Sequence, residues 1–153
     1  MKAIGLIAIA VVAVSLSGLG TASAASDSAS RSTVVSIAKT GLGKIVVNAR
    51  GRTLYLFEKD KRRHSACSGA CAAYWPPLIA HGRPLATRGA KQSLLGTIRR
   101  ANGARQVTYA GHPLYAYVLD TRRGQTRGEG STDFGAGWDA LAPSGKKIER
   151  DGS

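Results

Sequence analysis

Two sets of side chains in this sequence are spaced so that they could do chemistry. The first is His64, Cys67 and Cys71, in the stretch "HSACSGACAAYW". One imidazole and two thiolates in the order H-x-x-C-x-x-x-C make a soft donor set suited to copper or zinc. The same two cysteines, the only ones in the chain, can instead oxidise to a disulfide. Three intervening residues, Gly69 among them, let the chain fold back until the Cα atoms reach the ~4.4–6.8 Å that a disulfide requires. So small a loop shapes its own neighbourhood rather than stapling distant strands. Free thiols are the third possible state. His81, before Gly82, and His112, in "AGHPLY", read as exposed turn residues. Either would complete a metal site only if the fold brought it close.

The second set is written twice, as "YLFEKD" and "YAYVLD". It contains Tyr55, Phe57 and Asp60, then Tyr115, Tyr117 and Asp120. Two carboxylates could work as an acid–base pair, but no neighbouring acid or base supports that use of them. A structural role is expected instead: an aspartate at a strand's end accepts backbone N–H groups two residues on, and fixes the loop's exit. The Arg pairs that follow, Arg62-Arg63 and Arg122-Arg123, would neutralise it. The aromatics are expected to pack in the core or between repeats, with tyrosine hydroxyls reaching the rim. The sharper alternative is a pair of aromatic shelves lining a ligand groove. A G-x-S-x-G elbow, an H-E-x-x-H helix, a phosphate-binding loop and a C-x-x-C pair are all absent. A non-enzyme without a cofactor is therefore expected, copper or zinc being the alternative.

The elements that must hold these residues come in two copies. At an offset of 60, Val34 to Asp60 aligns without a gap on Leu94 to Asp120: Val47 faces Val107, Gly51 faces Gly111, and Tyr55 faces Tyr115. After three extra residues in "GQTRGEG" the offset becomes 63, so Trp75 faces Trp138 and Leu78 faces Leu141. At that offset Gly130 and Phe134 stand where copy one has its cysteines. Each copy reads as three short antiparallel strands, a long loop and a Trp-containing segment, which in copy two continues as a hairpin, "WDALAPSGKKI". "TGLG" supplies a tight turn, and beyond residue 24 no stretch of ten residues shows a helical apolar period. Alternation places Tyr55 and Phe57 on one strand face and Leu54 and Leu56 on the other, as a covered central strand requires. Trp75 should lie in the repeat core, with Pro76-Pro77 as a rigid exit from the cysteine loop. Neither copy can build a comfortable core alone, so the two should pack into one all-β domain.

The pattern Y-x-[FWY]-x-x-D, together with "CSGACAAYWPPL" and "QVTYAGHPLY", resembles the family of secreted repeats described as predicted lipoproteins with a Yx(FWY)xxD motif. The resemblance spans about residues 34–147. It implies an extracytoplasmic bacterial envelope or secreted protein, in a family without a settled activity. The chain departs from the lipoprotein label because no cysteine lies near the expected cleavage site.

That site follows from the N-terminus. Lys2, the apolar run Ile4 to Leu16 and Ala22-Ser23-Ala24 form a secretory signal peptide over residues 1–24. The run is shorter than the ~20 residues a membrane span needs. A retained anchor is the alternative to cleavage. A flexible leader follows at 25–33, then repeat one at 34–84, a linker at 85–93, repeat two at 94–147 and a tail at 148–153. The net charge of +13 comes from basic residues scattered singly and in pairs, which argues against specific nucleic-acid binding. Outside the cell it favours anionic partners. The expectation is a secreted or periplasmic, monomeric, non-catalytic binding or envelope-interaction module, recognising its unknown ligand through the cysteine loop and aromatic strands. The alternatives are a metal-handling or redox protein using His64, Cys67 and Cys71, and a structural protein held to anionic envelope polymers.

Overall fold

A computed structural model of the chain describes residues 32–149. The expected signal peptide, most of the expected leader and the last four residues lie outside that span. The described residues form eight strands: β1 (Val34–Thr40), β2 (Gly43–Asn48), β3 (Tyr55–Phe57), β4 (Leu85–Thr87), β5 (Leu95–Arg99), β6 (Arg105–Tyr109), β7 (His112–Pro113) and β8 (Trp138–Ala140). They make three small sheets, ordered β2-β1-β4, β3-β8 and β5-β6-β7. One short helix, α1 (Ala70–Tyr74), lies inside the cysteine loop, in a stretch whose sequence reads only as loop. Copy two has a 3-10 turn, Asp133–Gly135, at the corresponding place. The supposed linker 85–93 contains β4, which pairs in parallel with β1, so it is part of the fold.

The duplication is real, but the gapless alignment slips by one residue. In the first hairpin Lys39 pairs with Lys44; in the second Arg99 pairs with Arg105. The second turn is one residue longer, and the connection before Leu114 is one shorter. Equivalent backbone bonds show the register. Leu54 N–H donates to Val46 O and Leu114 N–H to Val107 O, both at 3.0 Å. Val46, not Val47, is thus the partner of Val107. A one-residue slip in a strand exchanges its two faces, so Ile45, not Val46, is the counterpart of Gln106.

The copies interlock. Tyr55 and Tyr115 exchange backbone bonds, N–H to O at 2.8 and 3.0 Å. β3 of copy one pairs antiparallel with β8 of copy two. The reciprocal pairing, of Tyr115–Tyr117 with Trp75–Pro77, is reduced to a bridge and two flanking bonds. Prolines donate no N–H to a ladder, which is why "LYAYVL" does not become a regular strand. The expected final hairpin forms, Ala142 N–H donating to Lys146 O and Ile148 N–H to Ala140 O.

As the alternation predicts, the central strand is covered on both sides. Leu54 and Leu56 join Val35, Val46, Val107, Leu114 and Leu141 in one buried cluster. Tyr55 and Phe57 join Trp75, Trp138, Tyr115 and the cysteines in the other. That second cluster is a column of four stacked rings alternating between copies. Phe57 lies on Trp138 at 4.1 Å, Trp138 on Trp75 at 3.9 Å, and Trp75 on Tyr117 at 4.2 Å. Tyr55 meets Trp75 edge-on at 5.4 Å and Tyr115 meets Trp138 edge-on at 5.2 Å.

Candidate binding site beside the disulfide loop

The motif tyrosines and aspartates form two clasps that exchange partners between copies. Tyr55 Oη donates to Asp120 Oδ2 at 2.5 Å. Tyr115 Oη donates to Asp60 Oδ2 at 2.7 Å. The second carboxylate oxygens hold the loop that follows, accepting from Ala66 N–H at 2.7 Å and from Arg127 N–H at 2.9 Å. The aspartates do fix their loops, but from six and seven residues on rather than two. The Tyr55 and Tyr115 hydroxyls are buried rather than on the rim, and Tyr55, Phe57 and Tyr115 are core residues, of which Phe57 borders a shallow cleft beside Glu58 and Lys147. Only Tyr117 is partly exposed. Burial, then the bond and charge of Asp120, raise the Tyr55 phenol above its ordinary value. Burial is also the main cause of the rise at Tyr115. Asp60 is raised as well, because burial outweighs the Ala66 N–H, the Tyr115 hydroxyl and the charges of Arg100 and His64.

The two clasps differ in their surroundings. At Tyr55–Asp120 the remaining donor is the buried Gly128 N–H, 3.2 Å from Tyr55 Oη. At Tyr115–Asp60 a polar network has grown. Ser65 Oγ lies 2.7 Å from Tyr115 Oη. Arg100 donates through Nη1 to Ser65 Oγ at 2.9 Å and to Gln106 Oε1 at 2.6 Å, and through Nη2 to Cys67 O at 2.6 Å. Gln106 Nε2 donates in turn to Leu114 O at 2.9 Å. Sequence reasoning passed over Ser65, Arg100 and Gln106. The available signal was a glutamine in an apolar strand, obscured by the slipped register.

Cys67 and Cys71 form a disulfide, with Cα atoms 5.2 Å apart, and both are buried in the aromatic cluster. The oxidised pair offers no thiolate. Among the described residues no three His, Cys, Asp or Glu side chains gather as a metal site would need. His64 sits in a tight turn, exchanging backbone bonds with Lys61. His112 lies in β7 rather than in a free turn, and its imidazole is lowered by burial and by Arg62. His81 is exposed.

Between the disulfide loop and the β5–β6 turn lies a cleft of about 790 Å³. One wall carries His64, Ser68 and Gly69; the other carries Arg99, Arg100 and Asn102. No lining residue is acidic. Arg100 is held by its three bonds, while Arg99 and His64 are exposed. Two guanidinium groups and an imidazole around hydroxyl and amide donors suit a carboxylate or phosphate group. The motif carboxylates do not come together: Asp60 belongs to this network, and Asp120 to the other clasp.

A model of the family described as a secreted repeat of unknown function matches residues 36–79 and again 96–142. No curated protein and no solved structure matches the chain. Among the described residues no helix is long and apolar enough to cross a membrane. With both copies matched, over more than half the sequence, the chain belongs to this family of secreted repeats.

Proposed function

We propose that this protein is a non-catalytic, extracytoplasmic binding module, and that the cleft beside the disulfide loop takes an anionic group of its ligand or of an envelope component. The observation that carries this reading is the lining of that cleft, which brings His64, Arg99 and Arg100 together with no acidic residue among the lining side chains. Gln106 in place of Ile45, the longer β5–β6 turn carrying Arg100, and the cysteines in place of Gly130 and Phe134 all lie at this corner. Departures from the repeat that converge on one surface are hard to ascribe to scaffold. The non-catalytic part is supported by the motif aspartates, each occupied by a tyrosine and a backbone N–H.

The test is an NMR titration of the secreted chain with inorganic phosphate and with citrate. Amide shifts should concentrate at His64–Gly69 and Arg99–Asn102, and Arg99→Gln should weaken them severalfold. Shifts spread evenly over the basic surface, or unchanged in Arg99→Gln and in Cys67→Ser/Cys71→Ser, would sink the proposal.

A further inference from the structure

A second surface, away from the cleft, is built differently. Five large apolar side chains are exposed among the described residues: Tyr74, Leu85, Val118, Leu119 and Phe134. All but Leu85 belong to two neighbouring segments, the Tyr74–Phe134 ring pair and the Val118-Leu119 turn. The Tyr74 and Phe134 rings lie 6.2 Å apart, and Val118 N–H donates to Tyr74 O at 3.1 Å. Tyr117, stacked on Trp75, gives the patch a rigid footing on the aromatic column.

Neither burial nor repeat symmetry accounts for these residues. Val118 and Leu119 stand where copy one has Glu58 and Lys59, and Tyr74 stands where copy two has Gly137. Phe134 is 41% exposed at a left-handed φ of 62°, which a bulky side chain disfavours. The segment after Leu119 carries exposed Arg122, while the side chain of Arg123, also exposed, lies against Gly51. Arg127 is folded back toward it through Asp120, and Arg52 reaches it through Thr121 O at 3.3 Å. Asp133 is the one acid at the Tyr74–Phe134 contact.

We propose that this face docks the protein on the surface of an anionic lipid bilayer, with Tyr74, Val118, Leu119 and Phe134 entering the interface and the arginines meeting headgroup phosphates. Aromatic and aliphatic tips flanked by arginine suit that boundary. The chain's charge of +13 and the neighbouring arginines oppose a second copy of the same chain as the occupant.

Co-sedimentation of the secreted chain with vesicles tests this, using phosphatidylcholine alone or mixed with phosphatidylglycerol. The mixed vesicles should retain the protein, and Leu119→Ser combined with Phe134→Asn should weaken retention by about tenfold. Arg122→Gln should weaken it as well. Both apolar substitutions are at exposed sites, and unchanged near-ultraviolet dichroism of the tryptophan stack will verify the fold. The proposal fails if the wild type ignores anionic vesicles, or if the apolar double variant binds as the wild type does, since charge alone then explains retention. It also fails if that variant instead abolishes self-association or binding to a soluble anionic glycan while vesicles are never bound.

Discussion

Each clasp rests on a single phenolic hydroxyl, and the two hydroxyls are not worth the same. Tyr55→Phe leaves the Asp120 carboxylate, which has no exposure, with the Arg127 N–H as its one remaining bond among those described here. A cost of about 3 kcal/mol in urea unfolding is expected, since a buried charged acceptor loses its donor. Tyr115→Phe should cost about 1 kcal/mol, because Asp60 is only half-buried and solvent can replace the lost bond. Asp60 also sets a pH dependence. Its native value lies above the ordinary 3.8, so the folded state holds this proton more tightly than the unfolded chain. The resulting stabilisation is complete below pH 3.8 and is lost as pH rises through the raised native value. Asp60→Asn removes that segment. Urea midpoints across the acid range should therefore show wild type losing ground to Asp60→Asn as pH rises. Of these residues, the tyrosines and aspartates were legible in the sequence by repetition. Their exchange of partners was not, because chain spacing does not say which copy a side chain faces.

At the scale of elements, a loop glycine lies directly against the ring column. A Cβ on Gly128 would sit 2.6 Å from Trp75 Cη2 and 3.0 Å from Tyr55 Cζ. The rings cannot retreat, since Trp75 is stacked on both faces. Gly128→Ala should cost about 2–3 kcal/mol, as overpacking does, with reduced near-ultraviolet dichroism as its mark. The disulfide works more locally. Cys67→Ser/Cys71→Ser should lower stability by about 2 kcal/mol through the loss of a small-loop cross-link. Faster amide exchange should be confined to α1 and the cleft, because copy two closes the equivalent corner without a bridge. The strands themselves were legible from Val- and Ile-rich runs and turn residues. Helix α1 was not, since a single turn of helix has no period to detect. The register was misread because one extra residue in a turn, offset by one fewer in the next, leaves a gapless alignment intact.

The molecule as a whole is two half-folds that complete each other. β3 has its ladder partner in the other copy, and each tryptophan is sandwiched between two rings of which at least one belongs to the other copy. Neither half can bury its central strand alone. Separate chains covering residues 32–91 and 92–149 should each lack near-ultraviolet dichroism, and mixing them should restore it. Independent folding of either half would contradict the interlocked core.

By itself the sequence determined the duplication, the all-β character, the two-faced central strand and the membership of a secreted family, because each is written in local spacing and alternation. Tertiary structure alone decided that the clasps cross between copies, that the motif aromatics are core rather than groove, and that Arg100 joins the cysteine loop to Gln106. It also decided that Tyr74, Val118, Leu119 and Phe134 share one face. Apart from Arg100–Gln106, these are contacts between residues more than 30 positions apart in the chain, set by how the two copies pack rather than by any pattern along either one.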